Sequence, residues 1–276
     1  MIPLEDYSED IIGKVMRGRG VSKDRLCDEA GISAGELEAL LRGEALEAPL
    51  RKVAPVLGLG ADQLVACARK SWYPDQPGPI PGFGMANTTF HDMTVNAYVV
   101  WDVATRKAVV FDSGADCEPL LELVRNNDLT VEMILLTHAH TDHVVDLPRL
   151  VEGTGSPPVW INEREGEDED FPKDVRTFEA GRTFVVGGLT IESMLTDGHS
   201  PGGTTFVVGG LDRPLAIVGD SLFAGSMGGS MTAYERARQN NLTKILTLPD
   251  DTVLAPGHGP LTTVGQEKRH NPFLAA

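Results

Sequence analysis

The spacing of apolar positions divides the chain into a helical stretch, a Pro/Gly-rich stretch and a long run of short strands interleaved with helices. In residues 1–70, Ile11, Ile12 and Val15 recur at helical spacing. Ser22 can cap a helix over residues 23–30, and Gly31 is a natural stop for it. Ser33 caps a second helix, which carries Leu37, Leu40 and Leu41 and ends near Gly43. Two more helices are expected around 50–57 and 61–69, the first kinked or shortened by Pro55. Residues 71–84 hold Pro74, Pro77, Pro79 and Pro81 with Gly78, Gly82 and Gly84, and read as a linker or rim loop. Its aromatics Trp72, Tyr73 and Phe83 are expected to pack.

Over residues 85–276 the pattern changes to short apolar runs. Residues 96–101 and 108–111 flank the polar turn 102–107 and form a predicted hairpin. A helix over 118–124, with Pro119 in its first turn, leads to a strand at 132–136. A helix carrying Val144, Val145, Leu147 and Leu150 and a strand at 158–161 follow. Residues 163–170 contain six carboxylates and one Arg and read as a solvated loop. Strands at 183–186, 189–194, 204–208, 215–218 and 252–254 are predicted next, with a helix spanning roughly 232–248. Strands and helices in this order predict an α/β fold of two sheets covered by helices.

Candidate chemistry is concentrated where the apolar run Met133-Ile134-Leu135-Leu136 ends. Thr137-His138-Ala139-His140-Thr141-Asp142-His143 holds three of the chain's seven histidines and a carboxylate. Imidazole and carboxylate at this density is ligand chemistry that suits zinc, iron or manganese. Three other blocks place a candidate ligand on a turn after an apolar run: His199 in Asp197-Gly198-His199-Ser200-Pro201-Gly202, Asp220 in Gly219-Asp220-Ser221, and His258 in Pro256-Gly257-His258-Gly259. His91 and His270 fit no block and are expected at the surface or rim.

The His-x-His-x-Asp-His motif at 138–143, followed by separate His, Asp and His blocks, resembles the metallo-beta-lactamase superfamily over about residues 85–265. The resemblance implies an αβ/βα sandwich. It implies that His138, His140 and His199 hold one divalent metal, that Asp142, His143 and His258 hold a second, and that Asp220 bridges the two. Two zinc ions are the expected cofactors, with iron or manganese as alternatives. Asp112, in the turn Asp112-Ser113-Gly114, could support a ligand from behind. The blocks around His199 and Asp220 are similar to the thioesterase and glyoxalase II branch. The implied activity is hydrolysis of a small-molecule thioester or related ester by a metal-bridging hydroxide, with Asp142 and Asp220 in the catalytic set. A mononuclear iron persulfide dioxygenase, using His138, His199 and Asp220, is the alternative enzyme.

Residues 21–44 resemble the Cro/C1-type helix-turn-helix family, so a small all-α helix-turn-helix domain is expected at 1–70, ahead of the linker at 71–84 and the catalytic domain at 85–276. A metabolite-sensing DNA-binding regulator is therefore a third reading. Against it, the second helix begins Ala34-Gly35-Glu36-Leu37-Glu38, and carboxylates there repel phosphate. Residues 1–70 carry ten Lys and Arg against twelve Asp and Glu, a net of −2. The alternative use of the unit is dimerisation or packing on the larger domain, and a homo-oligomer is expected.

Composition narrows the setting. A net charge of −16 opposes non-specific binding to nucleic acid or an anionic membrane. No apolar run approaches the ~20 residues a membrane helix needs, and the first residues resemble no signal peptide. Three scattered cysteines, Cys27, Cys67 and Cys117, suggest a reduced, cytoplasmic protein without disulfides.

Overall fold

The computed structural model describes residues 1–165 and 175–274. Five helices come first: α1 (Ser8–Arg19), α2 (Lys23–Ala30), α3 (Ala34–Leu40), α4 (Glu47–Leu57) and α5 (Ala61–Ala68). The Ser22 hydroxyl accepts from the Arg25 N–H at 3.2 Å, and Gly31 ends α2 in the left-handed region. Ser33 and Glu36 cap α3 reciprocally, each side chain satisfying the other residue's backbone N–H. Pro55 lies inside α4 without ending it, because it falls in the last turn before the Gly58 cap.

The first sheet follows the order β1 (Phe83–Phe90), β2 (Met93–Trp101), β3 (Lys107–Phe111), β4 (Thr130–Leu135), β5 (Val159–Asn162) and β6 (Arg176–Phe178). Strand β1 starts at Phe83, inside the stretch read as a linker, and pairs with β2 along its whole length. From β3 to β6 the pairing is parallel. The crossovers into β4 and β5 are α6 (Glu118–Asn126) and the pair α7 (Thr141–Val144) and α8 (Leu147–Gly153). One helix was expected after the histidine stretch. Two form, and Pro148 sits in the first turn of the second, where a missing N–H costs nothing.

The second sheet runs β7 (Thr183–Val186), β8 (Leu189–Leu195), β9 (Thr204–Gly209), β10 (Leu215–Gly219), β11 (Val253–Pro256) and β12 (Thr262–Thr263), paired in that order. Helices α9 (Tyr234–Thr243) and α10 (Val264–His270) cover it. The long helix expected over 232–248 is α9 plus a separate 3₁₀ turn, Ile245–Thr247.

Between the sheets lies a core that includes Tyr98, Phe111, Leu135, Phe206 and Ile217. Leu120, Val124 and Leu150 cover the outer face of the first sheet. The outer face of the second packs Val218 and Leu254 against Tyr234, Ile245 and Phe273. Ile11, Ile12, Val15 and Leu64 of the N-terminal helices belong to that same cluster. Strands such as β10, buried on both faces, read as unbroken apolar runs for this reason. The result is the expected αβ/βα sandwich, with the N-terminal helices laid over one outer layer and sharing its core. Their contacts include Gly60 N–H to Pro272 O at 2.8 Å and the Gln63 amide to Arg269 O at 3.0 Å.

Candidate metal centre

All seven predicted ligands come together at the ends of β4, β8, β10 and β11. Four of them, His138, His140, His199 and Asp220, place ligand atoms within 4.8 Å of one another, and so do Asp142, His143 and His258. Asp220 stands between the groups: Oδ2 lies 3.3 Å from His199 Nε2 and 3.3 Å from His258 Nε2, and Oδ1 lies 3.3 Å from His143 Nε2. Asp142 Oδ2 is 3.2 Å from His258 Nε2.

The second ring nitrogen of most of these histidines is held from behind. The Nδ1–H of His258 donates to Thr94 O at 2.7 Å, and that of His199 to Gly229 O at 2.9 Å. His143 Nδ1 meets Asp112 Oδ2 at 3.0 Å, and His138 Nδ1 meets the Thr137 hydroxyl at 3.0 Å. Each of these rings therefore presents Nε2 to the centre with its tautomer and orientation fixed. His140 turns Nδ1 inward, 2.9 Å from His199 Nε2.

Asp112 organises this support. Its carboxylate also accepts from the Thr137 N–H at 2.8 Å and the Thr137 hydroxyl at 2.7 Å, so one buried side chain pins the start of the ligand loop and one of its ligands. It does so with φ at 58°, a strained conformation for a non-glycine residue. Gly257 is dictated by close approach: a Cβ there would lie 2.0 Å from Asp220 Oδ1 and 2.6 Å from His143 Cε1.

Electrostatics express the same crowding. Burial, reinforced by His143, holds the His138 imidazole well below its ordinary value. Burial acts the same way on His143, but Asp220 and Asp112 outweigh it and push it up to about 10. His258 is likewise pushed up to about 11 by Asp220 and Asp142 against its burial. The Asp220 carboxyl, though buried, is held well below the usual range by His258 and His143. Without a cation, protons on His143 and His258 offset the carboxylates.

The donor set fits divalent metals. His138 Nε2, His143 Nε2 and Asp220 Oδ1 are buried, aimed inward and lack hydrogen-bond partners. An orphaned buried polar atom costs about 1–3 kcal/mol. Three at one point, all of ligand type, are explained by ions they would coordinate.

The sequence reading missed some of the supports. Thr94 and Gly229 act through backbone carbonyls, which carry no side-chain signature. Glu165 departs from the solvated loop expected over 163–170: it is buried and accepts from the Ala139 N–H at 3.1 Å and the Gly202 N–H at 2.6 Å. It ties the His138–His140 loop to the His199 loop. The rest of that acidic stretch, 166–170, lies outside the described residues. His91 is exposed at the β1–β2 turn, as expected. His270 is half-buried and stacks on Trp72 at 4.8 Å.

Comparison with known proteins agrees. The model of the metallo-beta-lactamase superfamily matches residues 92–258. The chain is 31% identical over 199 residues to hydroxyacylglutathione hydrolase GloC of Haemophilus influenzae, covering 65% of this chain and 92% of that one. Among solved structures, the BLEG-1 B3 metallo-beta-lactamase aligns with a TM-score of 0.56 at 30% identity, over 70% of this chain and all of the other. A di-iron-bound form of TTHA1623 aligns with a TM-score of 0.55 at 33% identity, over 68% of this chain and all of the other. Helices α1–α5 lie outside the residues that the family model matches. With the family model matched over more than half of its length and the sandwich around the site, this chain belongs to the metallo-beta-lactamase superfamily.

Proposed function

We propose that this metallo-hydrolase cleaves thioesters or related esters with two divalent metal ions. The observation that carries the reading is the place of Asp220, which offers an oxygen to each of the two ligand groups. His138, His140 and His199 would hold one ion, Asp142, His143 and His258 the other, and Asp220 would touch both. Bound there, such ions lower the pKa of water toward neutrality and polarise a carbonyl.

The chain's own residues do the rest. Asp112, Thr94 and Gly229 hold the imidazoles in register, so no ligand has to reorient during turnover. Asp142 is the carboxylate of the set with the greater exposure, 14% of its side chain against 7% for Asp220. From the open side it accepts a hydrogen bond from the attacking water and fixes the direction of attack. A thiolate leaving group departs without needing a proton, so a single carboxylate suffices. Similarity to GloC supports a thioester.

The test is a panel of S-lactoylglutathione, a glutathione-free thioester, an aryl ester and a lactone, assayed before and after chelation. Metal-dependent hydrolysis of a thioester is expected, with Asp220→Ala losing metal and nearly all turnover. Hydrolysis of none of these, with one iron per chain and oxygen uptake on a persulfide, would replace the reading with a dioxygenase.

A further inference from the structure

Helix α1 reaches the metal centre. A cleft of about 270 Å³ opens on His140 and His199 and is lined by Lys14, Arg17 and the segment 229–232. Lys14 and Arg17 are three positions apart and so share one face of α1. None of the lining residues is a carboxylate, in a chain with 40 acidic and 24 basic residues.

The two cations are not equivalent. The Lys14 ammonium pairs with the Asp6 carboxylate and donates to Met227 O at 3.0 Å. It thereby fastens α1 to the loop whose next residues include Gly229, the acceptor for His199 Nδ1. Its charge is largely spoken for. Arg17 is exposed and makes no ion pair among the described residues. Gly18 lets α1 pack closely on Tyr234, where a Cβ would lie 2.7 Å from the ring. An uncommitted guanidinium is thus held at the mouth of a cleft that leads to two metal-ligand histidines.

We propose that Arg17 binds a carboxylate of the substrate, so that the thioester or ester cleaved here carries an anionic group on the portion lying in this cleft. A guanidinium fork matches a carboxylate in two parallel hydrogen bonds and is more weakly hydrated than an ammonium. In a molecule of net charge −16, a local cationic wall is also what admits an anionic substrate. The substrate class rests on the hydrolase reading; the anion site itself does not.

The experiment measures binding rather than turnover. Zinc-loaded full-length protein is titrated with 3-mercaptopropionate and with its neutral amide, whose thiol can reach the metals in the same way. Wild type is expected to prefer the acid by about tenfold, the scale of one charge-assisted contact at a half-open site. Arg17→Ala should abolish the preference while leaving metal content and amide affinity unchanged, and Arg17→Lys should keep part of it. No preference in wild type, or a preference that survives Arg17→Ala, overturns the proposal. Absence of thioester hydrolysis would remove the proposed function and leave this result standing.

Discussion

Asp112 shows how much of the centre depends on residues that touch no metal. Its carboxylate holds Thr137 by two hydrogen bonds and His143 by one, from a strained backbone position. Asp112→Ala is expected to weaken metal affinity about 10–100-fold, the usual effect of removing such a support, with the fold retained. Competition with a chromophoric chelator measures it. Protonation gives a second residue-level test. His143 is pushed up to about 10 and His258 to about 11, so the metal-free protein carries both protons at neutral pH. A cation must displace them. Metal affinity should therefore rise with pH up to about 11, where His258 loses its proton, with proton release seen by calorimetry in buffers of different ionisation enthalpy. Affinity independent of pH between 6 and 9 would contradict the assigned protonation.

At the level of elements, each ligand block sits where a buried strand ends, and this was legible in the sequence. Apolar runs at 133–136 and 215–218 announced β4 and β10, and small residues beside His199, Asp220 and His258 announced the turns. What escaped was sequence without contrast. Strand β1 begins within a Pro/Gly-rich stretch and is only half-buried over most of its length, so no alternation marks it. Helix α10 carries the polar run Gln266, Glu267, Lys268 and Arg269, which has no apolar periodicity to announce it, and Glu267 is buried, accepting from Thr262, Gly225 and Asn271. The packing of α1 on α9 was equally hidden, because it depends on a residue with no side chain. A Cβ at Gly18 would lie 2.7 Å from the Tyr234 ring. Gly18→Val should cost about 1–3 kcal/mol through overpacking, read as a lower denaturation midpoint. An unchanged midpoint would mean that α1 does not sit tightly on α9.

Across the whole molecule, the helical unit and the sandwich are joined by a common core rather than a tether. Ile11, Ile12, Val15 and Leu64 cover Tyr234, Ile245 and Phe273. Each buried large apolar side chain contributes about 1.5–3 kcal/mol. Removing residues 1–70 would uncover a contiguous apolar face of the kind that drives aggregation. That truncation is expected to be insoluble, or to bind a hydrophobic dye and unfold at lower temperature than the full chain. A soluble, fully metallated fragment of undiminished stability would show that the helices are dispensable to the fold. The helices thus serve the centre in two ways: they complete the core behind β10 and β11, and they bring Lys14 and Arg17 to its entrance. The central claim is that seven ligands serve two ions in one hydrolytic site. It is tested most directly by adding metal stepwise to metal-free protein while following thioester hydrolysis. The dinuclear reading predicts activity that saturates at two equivalents per chain. Saturation at one equivalent, with the second ion inert, would contradict it.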